Sequence, residues 1–229
     1  MGKQPLIVAL EGIDGSGKSV QFKRLHARLE AAGLRVGVLD FPCYEGFFGR
    51  EIGKMLSNAE GVSAAVVDVK SMSLWYAMDR KIAFDQFDRS KYDIVLLNRS
   101  TMANAAYQGS RVPEGTSHRD FIQWIFDLEF KELQIPQPEM FFIFDIPTAT
   151  SRANVAKKGH RDYVGDDADV YEKDLAFLDA VRSGYHLCAE VFPGTVLLSC
   201  AEEDGRMKPM EVIEDLVWSH IQPLLNPQM

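Results

Sequence analysis

Residues 12–19, with the sequence GIDGSGKS, have the composition and spacing of a phosphate-binding loop. They fit the pattern G-x-x-x-x-G-K-[ST] without a mismatch, between an apolar run and an amphipathic one, which is the context that this motif requires. Glycines let backbone N–H groups converge on one anion, and Lys18 can reach β- and γ-phosphates. We therefore predict a nucleoside triphosphate site. The expected contacts are Gly12, Asp14, Gly15, Ser16, Gly17, Lys18, Ser19 and Val20.

Two side chains of this loop could serve a magnesium ion bound with the nucleotide. Ser19 can supply its hydroxyl, as the serine or threonine of this motif does. Asp14 is unusual, because a carboxylate in a loop that binds anions must face something else. It could hold Mg²⁺ through a water molecule or accept a hydrogen bond from a sugar hydroxyl. A solvated loop aspartate is the alternative.

Aromatic, basic and amide side chains further along the chain could form a second nucleotide site. Tyr76 and Arg80 are one helical turn apart, so a ring and a guanidinium could stack a base and clamp a phosphate or a base edge. Arg99 follows the apolar run DIVLLN, and its planar donor fork suits a phosphate. Asn104 and Gln108 are also one turn apart, and a side-chain amide suits a pyrimidine imide edge. The alternatives are an aromatic core residue, a surface arginine and polar residues at a helix end.

These residues lie in a chain that alternates short apolar runs with longer helical patterns. The apolar runs are continuous, which is typical of strands buried on both faces of a parallel sheet. They span residues 5–11, 35–41, 92–98, 139–146 and 194–200. Helical patterns span about 17–32, 48–57, 63–88, 118–133, 149–157, 169–191 and 209–222. The alternation predicts one three-layer α/β/α domain over residues 1–229, with a five-stranded parallel sheet and ligands at the carboxyl ends of its strands.

Composition and charge narrow the function classes. The 229 residues are 46% hydrophobic and 25% charged, which suits one soluble globular domain. The net charge of −8 argues against a broad basic face for nucleic acid. No apolar stretch approaches the roughly 18 residues of a membrane span, and the N-terminal run is too short for a signal peptide. Three widely spaced cysteines predict no disulfide framework and favour a reducing, cytoplasmic location.

Several segments, in order, resemble those of thymidylate kinases over residues 5 to about 220. They are LEGIDGSGKSVQ (10–21), DFP (40–42), LWYAMDR (74–80), NRSTMANAAYQG (98–109), PEMFFIFDIP (138–147) and KKGHRDY…YEKD…Y (157–185). The resemblance implies the P-loop NTPase fold and transfer of the γ-phosphoryl group of ATP to dTMP, giving dTDP and ADP with Mg²⁺ as cofactor. It also implies a homodimer, since the family is commonly dimeric.

The resemblance assigns roles to residues of the second site. It implies Tyr76 on the thymine ring, Arg80 at the acceptor nucleotide, and Gln108, assisted by Asn104, on the thymine edge. Phe41 and Pro42 resemble the Phe-Pro element of the acceptor pocket, although Phe41 could be a core residue. Arg50 is a further acceptor-phosphate candidate, with an exposed helix arginine as the alternative.

The chain departs from the family pattern after Phe41-Pro42, where Cys43-Tyr44 replace the usual basic residue, and again at residues 98–100. The family has Asp-Arg-Tyr where this chain has Asn98-Arg99-Ser100, so a carboxylate that could help to bind magnesium or orient the acceptor is missing. One branch of the family has an arginine inside the phosphate loop, at the position of Gly15 here. The resemblance is therefore to the branch that carries its arginines in a lid.

Residues 151–174 combine basic residues, a glycine and acidic residues, which predicts a mobile lid that excludes water. The acceptor is already a phosphate dianion, so catalysis needs positioning and charge neutralisation rather than a general base. We expect Arg161 at the transferring phosphoryl group, with Arg152 as the second candidate. Glu172 could orient the acceptor or a magnesium-bound water, and a solvated charged loop is the alternative. The predicted catalytic residues are Lys18, Arg161, Arg99 and Asp14.

Two other functions remain open at this point. A deoxynucleoside kinase would need a carboxylate base, and Glu11 lies where that class keeps one, while Asn98-Arg99-Ser100 resembles the acid-Arg-Ser stretch of that class. A nucleotide-binding regulatory protein without transfer activity is the other alternative, because Asn98 carries no charge. Turnover of dTMP against thymidine distinguishes the first alternative, and binding without formation of dTDP would indicate the second.

Overall fold

A single parallel sheet lies at the centre of the computed structural model, which describes residues 4–58, 61–158 and 175–225. Its strands are β1 (Leu6–Glu11), β2 (Val36–Asp40), β3 (Ile94–Asn98), β4 (Met140–Asp145) and β5 (Thr195–Ser199). They are ordered β2-β3-β1-β4-β5, and all pairings are parallel. Every residue of β1 is buried, as the continuous apolar runs predict. The five-stranded α/β prediction is thus confirmed.

Eight α-helices among the described residues connect and cover these strands. They are α1 (Lys18–Ala31), α2 (Phe47–Ser57), α3 (Val69–Gln86), α4 (Thr101–Gly109), α5 (His118–Phe126), α6 (Thr148–Lys158), α7 (Leu175–Val191) and α8 (Met210–Leu225). Most agree with the predicted helical patterns to within a few residues. The predicted start of α7 at residue 169 lies outside the described residues. None of the described helices is both long and apolar enough to cross a bilayer.

Helix α3 begins six residues later than the pattern predicts. Asp68 is its N-cap, and its carboxylate accepts a hydrogen bond of 2.9 Å from the backbone N–H of Ser71. Residues 63–67 form a turn instead, held by Arg111, which donates to the backbone carbonyls of Ala65 and Val67. A long-range contact therefore ends a pattern that looked helical in the sequence.

Helix α4 is absent from the predicted helices, although it carries several candidate site residues. All nine of its residues are buried, including the polar Thr101, Asn104 and Gln108, so it lacks the exposed polar face of an amphipathic surface helix. Ser100 caps its N-terminus and accepts a hydrogen bond from the N–H of Met102. The helix follows directly after β3 and lies inside the protein, against α3, α5 and α7.

The single helix predicted over residues 118–133 divides into two parts. Ser117 caps α5 and accepts a hydrogen bond from the backbone N–H of Asp120. After Phe126 the chain widens into a π-helical turn, Asp127–Glu132, and this turn contains the fully buried Glu129. Such wide turns inside helices are frequent at functional sites.

Candidate active site

The phosphate loop connects β1 to α1, as its motif requires. Three of its glycines have positive φ angles: 136° at Gly12, 76° at Gly15 and 87° at Gly17, the N-cap of α1. These conformations strongly favour glycine and let the loop curl toward the first turn of the helix. Lys18, the first residue of α1, is only 6% exposed, while Ser19 and Val20 face outward.

Helix α6 packs against the phosphate loop and binds two of its backbone carbonyls. Ser151 donates from its hydroxyl to the carbonyl oxygen of Asp14 at 2.6 Å, and Asn154 donates from its amide to the carbonyl oxygen of Gly15 at 2.9 Å. A Cβ atom on Gly15 would lie 2.4 Å from the carbonyl oxygen of Ser151. The arginine that some relatives carry at this position therefore does not fit here without a shift of α6. Ser151 and Asn154 had no local signal in the sequence, because their contacts are long-range.

We expect Gly15→Ala to lower the melting temperature and weaken ATP binding. Left-handed backbone costs a non-glycine residue about 1–2 kcal/mol, and at Gly15 the new methyl group would also overlap the backbone of α6. Gly33→Ala is the matched control, because Gly33 has a φ of 83° and its Cβ would contact nothing within 4 Å. Thermal unfolding and calorimetric titration with ATP measure both effects. Equal losses in the two variants, with unchanged ATP affinity, would contradict a role of α6 in shaping the loop.

A pocket beside the phosphate loop brings together most of the residues predicted for the second site. Its walls are formed by Asp14, Phe41, Pro42, Tyr44, Leu56, Tyr76, Arg80, Arg99, Ala103, Asn104 and Tyr107. Among the predicted residues, Asp14, Phe41, Pro42, Tyr76, Arg80, Arg99 and Asn104 lie in these walls. Tyr44 and Tyr107 were not predicted, although their place in DFPCY and AAYQG could have indicated them.

Arg99 and Asp14 join the pocket to the phosphate loop. The guanidinium of Arg99 donates to the carboxylate of Asp14 at 2.8 Å and lies 5.3 Å from the centre of the Tyr107 ring. The Tyr107 hydroxyl contacts the second oxygen of Asp14 at 3.3 Å. Burial alone would lower the pKa of Arg99, but Asp14 and the nearby tyrosines raise it well above its ordinary value. Arg99 also has a φ of 64°, a strained conformation typical of functional positions.

Arg80 has a different environment, which favours one of the two contacts predicted for it. It is 3% exposed and donates to both carboxylate oxygens of Glu129, at 2.6 and 2.5 Å. Burial acts to lower the pKa of Arg80, but Glu129 offsets this effect and the pKa is raised. Because its charge is neutralised at close range, Arg80 is better suited to a base edge than to a phosphate.

Other predicted contacts lie outside the pocket walls. Gln108 is fully buried, and its side-chain oxygen accepts a hydrogen bond from Arg111 at 2.5 Å. Arg50 is exposed, and it donates to the backbone carbonyl of Glu45 at 3.1 Å. The positions of Gln108 and Arg50 do not support a contact with the acceptor, so their roles stay predictions. Arg161 and Glu172 lie outside the described residues.

Glu11 does not have the environment of a general base. It is fully buried, and its two oxygens accept hydrogen bonds from the hydroxyls of Ser100, at 2.5 Å, and Tyr185, at 3.2 Å. Burial raises the pKa of the Glu11 carboxyl, and Ser100 only partly offsets this. The carboxylate thus holds α4 and α7 against the end of β1, whereas a deoxynucleoside kinase needs it open to a substrate hydroxyl.

Asn98, which stands where the family has an aspartate, lies next to another carboxylate, that of Asp40. The amide of Asn98 donates to the carboxylate of Asp40, at the end of the neighbouring β2, at 2.8 Å. Desolvation raises the pKa of Asp40, while Asn98, Arg99 and Lys18 act to lower it. A carboxylate therefore remains within electrostatic range of the loop lysine. No group of three or more His, Cys, Asp or Glu side chains in the described ranges forms a preformed metal site.

Comparison with known proteins agrees with this geometry. A family model for thymidylate kinase matches residues 10–206. The chain is 28% identical to the thymidylate kinase of Mycobacterium tuberculosis over 206 residues, covering 88% of this chain and 95% of that protein. It is 29% identical to the thymidylate kinase of Halothermothrix orenii over 191 residues, covering 81% and 84%.

A solved structure supports the fold independently. The structure of the thymidylate kinase of Candida albicans superimposes with a TM-score of 0.71 at 17% identity, covering 97% of this chain and 93% of that one. Because the family match spans most of the sequence and coincides with the phosphate loop and the adjoining pocket, the chain belongs to the thymidylate kinase family of phosphotransferases.

Proposed function

We propose that this chain binds dTMP in the pocket and ATP at the phosphate loop, and transfers the γ-phosphoryl group to give dTDP and ADP. One observation carries the proposal: Asp14 belongs to both the phosphate loop and the pocket wall, and it anchors Arg99 there. A nucleotide in the pocket could thus present its phosphate next to the loop. Family membership supplies the identity of both substrates.

The chemistry requires two anions to meet in line. Lys18 would neutralise the donor phosphates. Arg99 would hold the acceptor phosphate with its guanidinium group, whose position is fixed by the hydrogen bond to Asp14. Tyr76 and Phe41, which line the same pocket, offer aromatic faces for a base. Arg161 at the transferring group and Glu172 at the acceptor stay predictions. Arg152, on α6, is exposed and could serve in the place of Arg161.

Magnesium would supply further charge neutralisation between the donor phosphates. The residues available are hard oxygen donors, which fit this ion. Ser19 offers its hydroxyl in the first turn of α1, and the Asp14 carboxylate could act through water while it holds Arg99. Asp40 provides a second carboxylate near Lys18. Few protein ligands are needed, because magnesium in such sites keeps several waters and binds substrate phosphates.

An acceptor screen tests the proposal. Purified protein with ATP and Mg²⁺ should phosphorylate dTMP. Its kcat/KM for thymidine should be at least about 100-fold lower, because thymidine lacks the phosphate that Arg99 would bind. Chelation by EDTA should stop transfer. Thin-layer chromatography of labelled products measures both. Dominant turnover of thymidine would favour a deoxynucleoside kinase, and binding of ATP and dTMP without dTDP would favour a regulatory protein.

We also infer that the protein forms a homodimer in the cytoplasm. Large apolar side chains on α2 and α3 are exposed, including Phe47 at 59% and Leu74 at 44%, which would suit a partner subunit. The family resemblance supports a dimer, and three free thiols suit a reducing compartment. Sedimentation equilibrium would show a species of twice the 25.7 kDa chain mass, and a monomer would contradict the inference.

A further inference from the structure

Glu129 is the centre of a buried hydrogen-bond network behind the pocket. Its carboxylate accepts two bonds from Arg80, one from the hydroxyl of Thr101 at 2.6 Å, and one from the side-chain amide of Asn104 at 3.0 Å. It is fully buried, so no solvent competes for these donors. Arg80 and Asn104 both lie in the pocket wall, whereas Glu129 does not. The carboxylate therefore acts on the pocket only through other side chains.

The π-helical turn gives Glu129 this position. The N–H of Ile135 donates to the carbonyl of Glu129 at 2.9 Å, and the N–H of Leu133 donates to that of Leu128. The side chain of Glu129 is buried between α3 and α4, where Arg80 and Asn104 meet it. In the sequence, an acidic residue between Leu128 and Phe130 was the only sign of this arrangement.

The network fixes which atom of the Asn104 amide remains for a ligand. The amide nitrogen is used twice, donating to Glu129 and to the backbone carbonyl of Ser73 at 3.1 Å. The amide oxygen is buried and has no hydrogen-bond partner among the described residues. Turning the amide would place its oxygen against two acceptors, so that orientation is strongly disfavoured. Asn104 can therefore present only an acceptor to the pocket.

We propose that Glu129 sets the base specificity of the acceptor site by holding Asn104 as an acceptor and Arg80 as a donor. This inference rests on the proposed function. A 4-oxopyrimidine, such as thymine or uracil, presents a ring N–H and a carbonyl oxygen, which match this pair. Cytosine presents a ring nitrogen lone pair and an amino group, so both contacts would be mismatched. Glu129 is a positioning residue, since it acts through Asn104 and Arg80.

Glu129→Gln tests the proposal directly. The glutamine amide keeps one acceptor oxygen and adds donors, so it can no longer receive Arg80, Thr101 and Asn104 together, and Asn104 becomes able to turn. We expect the ratio of kcat/KM for dTMP to that for dCMP to fall by roughly tenfold or more, largely through KM. A loss of packing alone would lower both values and leave the ratio unchanged. An unchanged ratio in folded protein would overturn the proposal.

One further variant separates the orientation of the Asn104 amide from a loss of stability. Thr101→Val removes one donor to Glu129 but leaves its contact with Asn104, so the dTMP/dCMP ratio should stay at the wild-type value.

The wild-type protein gives a test that does not depend on variants. In a crystal structure with dTMP, the Asn104 oxygen should lie within hydrogen-bond distance of N3, with Glu129 still bound to the amide nitrogen. A complex in which Glu129 releases Asn104 would overturn the inference. Equal wild-type turnover of dTMP and dCMP would also overturn it, while leaving the proposed kinase activity intact. No transfer to any monophosphate would refute the proposed function instead, and the affinities of dTMP and dCMP would then test the inference.

Discussion

Lys18→Ala is expected to reduce kcat by about 10² to 10³, because the variant loses the charge that neutralises the donor phosphates. The lysine is the first residue of α1 and is almost fully buried. The exposed basic side chains of the same helix therefore cannot take over its contact with the phosphates. Its position near Asp40 and Glu11 also places it within a partly desolvated region, where a single charge has a large effect. Steady-state kinetics with ATP and dTMP measures the change.

Lys23→Ala is the control for this expectation. Lys23 lies on the same helix but is exposed, so the variant loses an equal charge at a distance from the loop. We expect its kcat to be close to that of the wild type, and its circular dichroism spectrum to match that of Lys18→Ala. A Lys18→Ala protein that keeps near-normal kcat would contradict the assignment of the loop as the donor site.

Arg99→Ala should produce the second large effect, a fall in kcat/KM for dTMP of about 10² to 10³ with little change in the KM for ATP. The wild-type side chain is held by Asp14 and lies over the ring of Tyr107, so its fork is fixed before the acceptor arrives. That arrangement avoids an entropic cost on binding, which a mobile side chain would incur. Removal would also leave the Asp14 carboxylate beside the incoming phosphate, with no cation between them.

Two control variants make this prediction specific. Arg99→Lys keeps the charge but loses the planar fork, so its kcat/KM should lie between those of the wild type and Arg99→Ala. Arg35→Ala removes another arginine bound to an aspartate, Asp93, at the opposite end of the sheet, and activity should be unaffected. If Arg99→Ala raised only the KM for ATP, Arg99 would belong to the donor site.

The positions of the strands were predictable because each is a continuous apolar run with a polar end. The run before Asn98 ends where β3 ends, and that before Glu11 ends where β1 ends. Residues that follow such ends must lie at one edge of a parallel sheet, so Asp14 and Arg99 could be expected near each other. Their contact of 2.8 Å agrees with that reasoning.

What the sequence did not show has the opposite cause, since it depends on contacts between residues that are distant in the chain. Helix α4 is buried on every side, so it lacks the exposed polar face by which a surface helix is detected in a sequence. The predicted start of α3 ignored the capping by Asp68. Gln108 looked equivalent to Asn104, one turn away. Yet the two amides have different partners, because Arg111 binds the first and Glu129 the second.

The sequence by itself determined the phosphate loop, the five strands and the thymidylate kinase family, because each depends on local pattern: glycine spacing, continuous apolarity and motifs in order. Only the tertiary structure decided the state of each charged side chain. Arg99 is bound by Asp14, and Arg80 is neutralised by Glu129. Glu11 is buried and accepts a hydrogen bond from Ser100 at the start of α4. These pairings join residues up to 89 positions apart, and no local propensity specifies them. Their physical basis is burial, since a charge removed from water must find its partner wherever the fold places one.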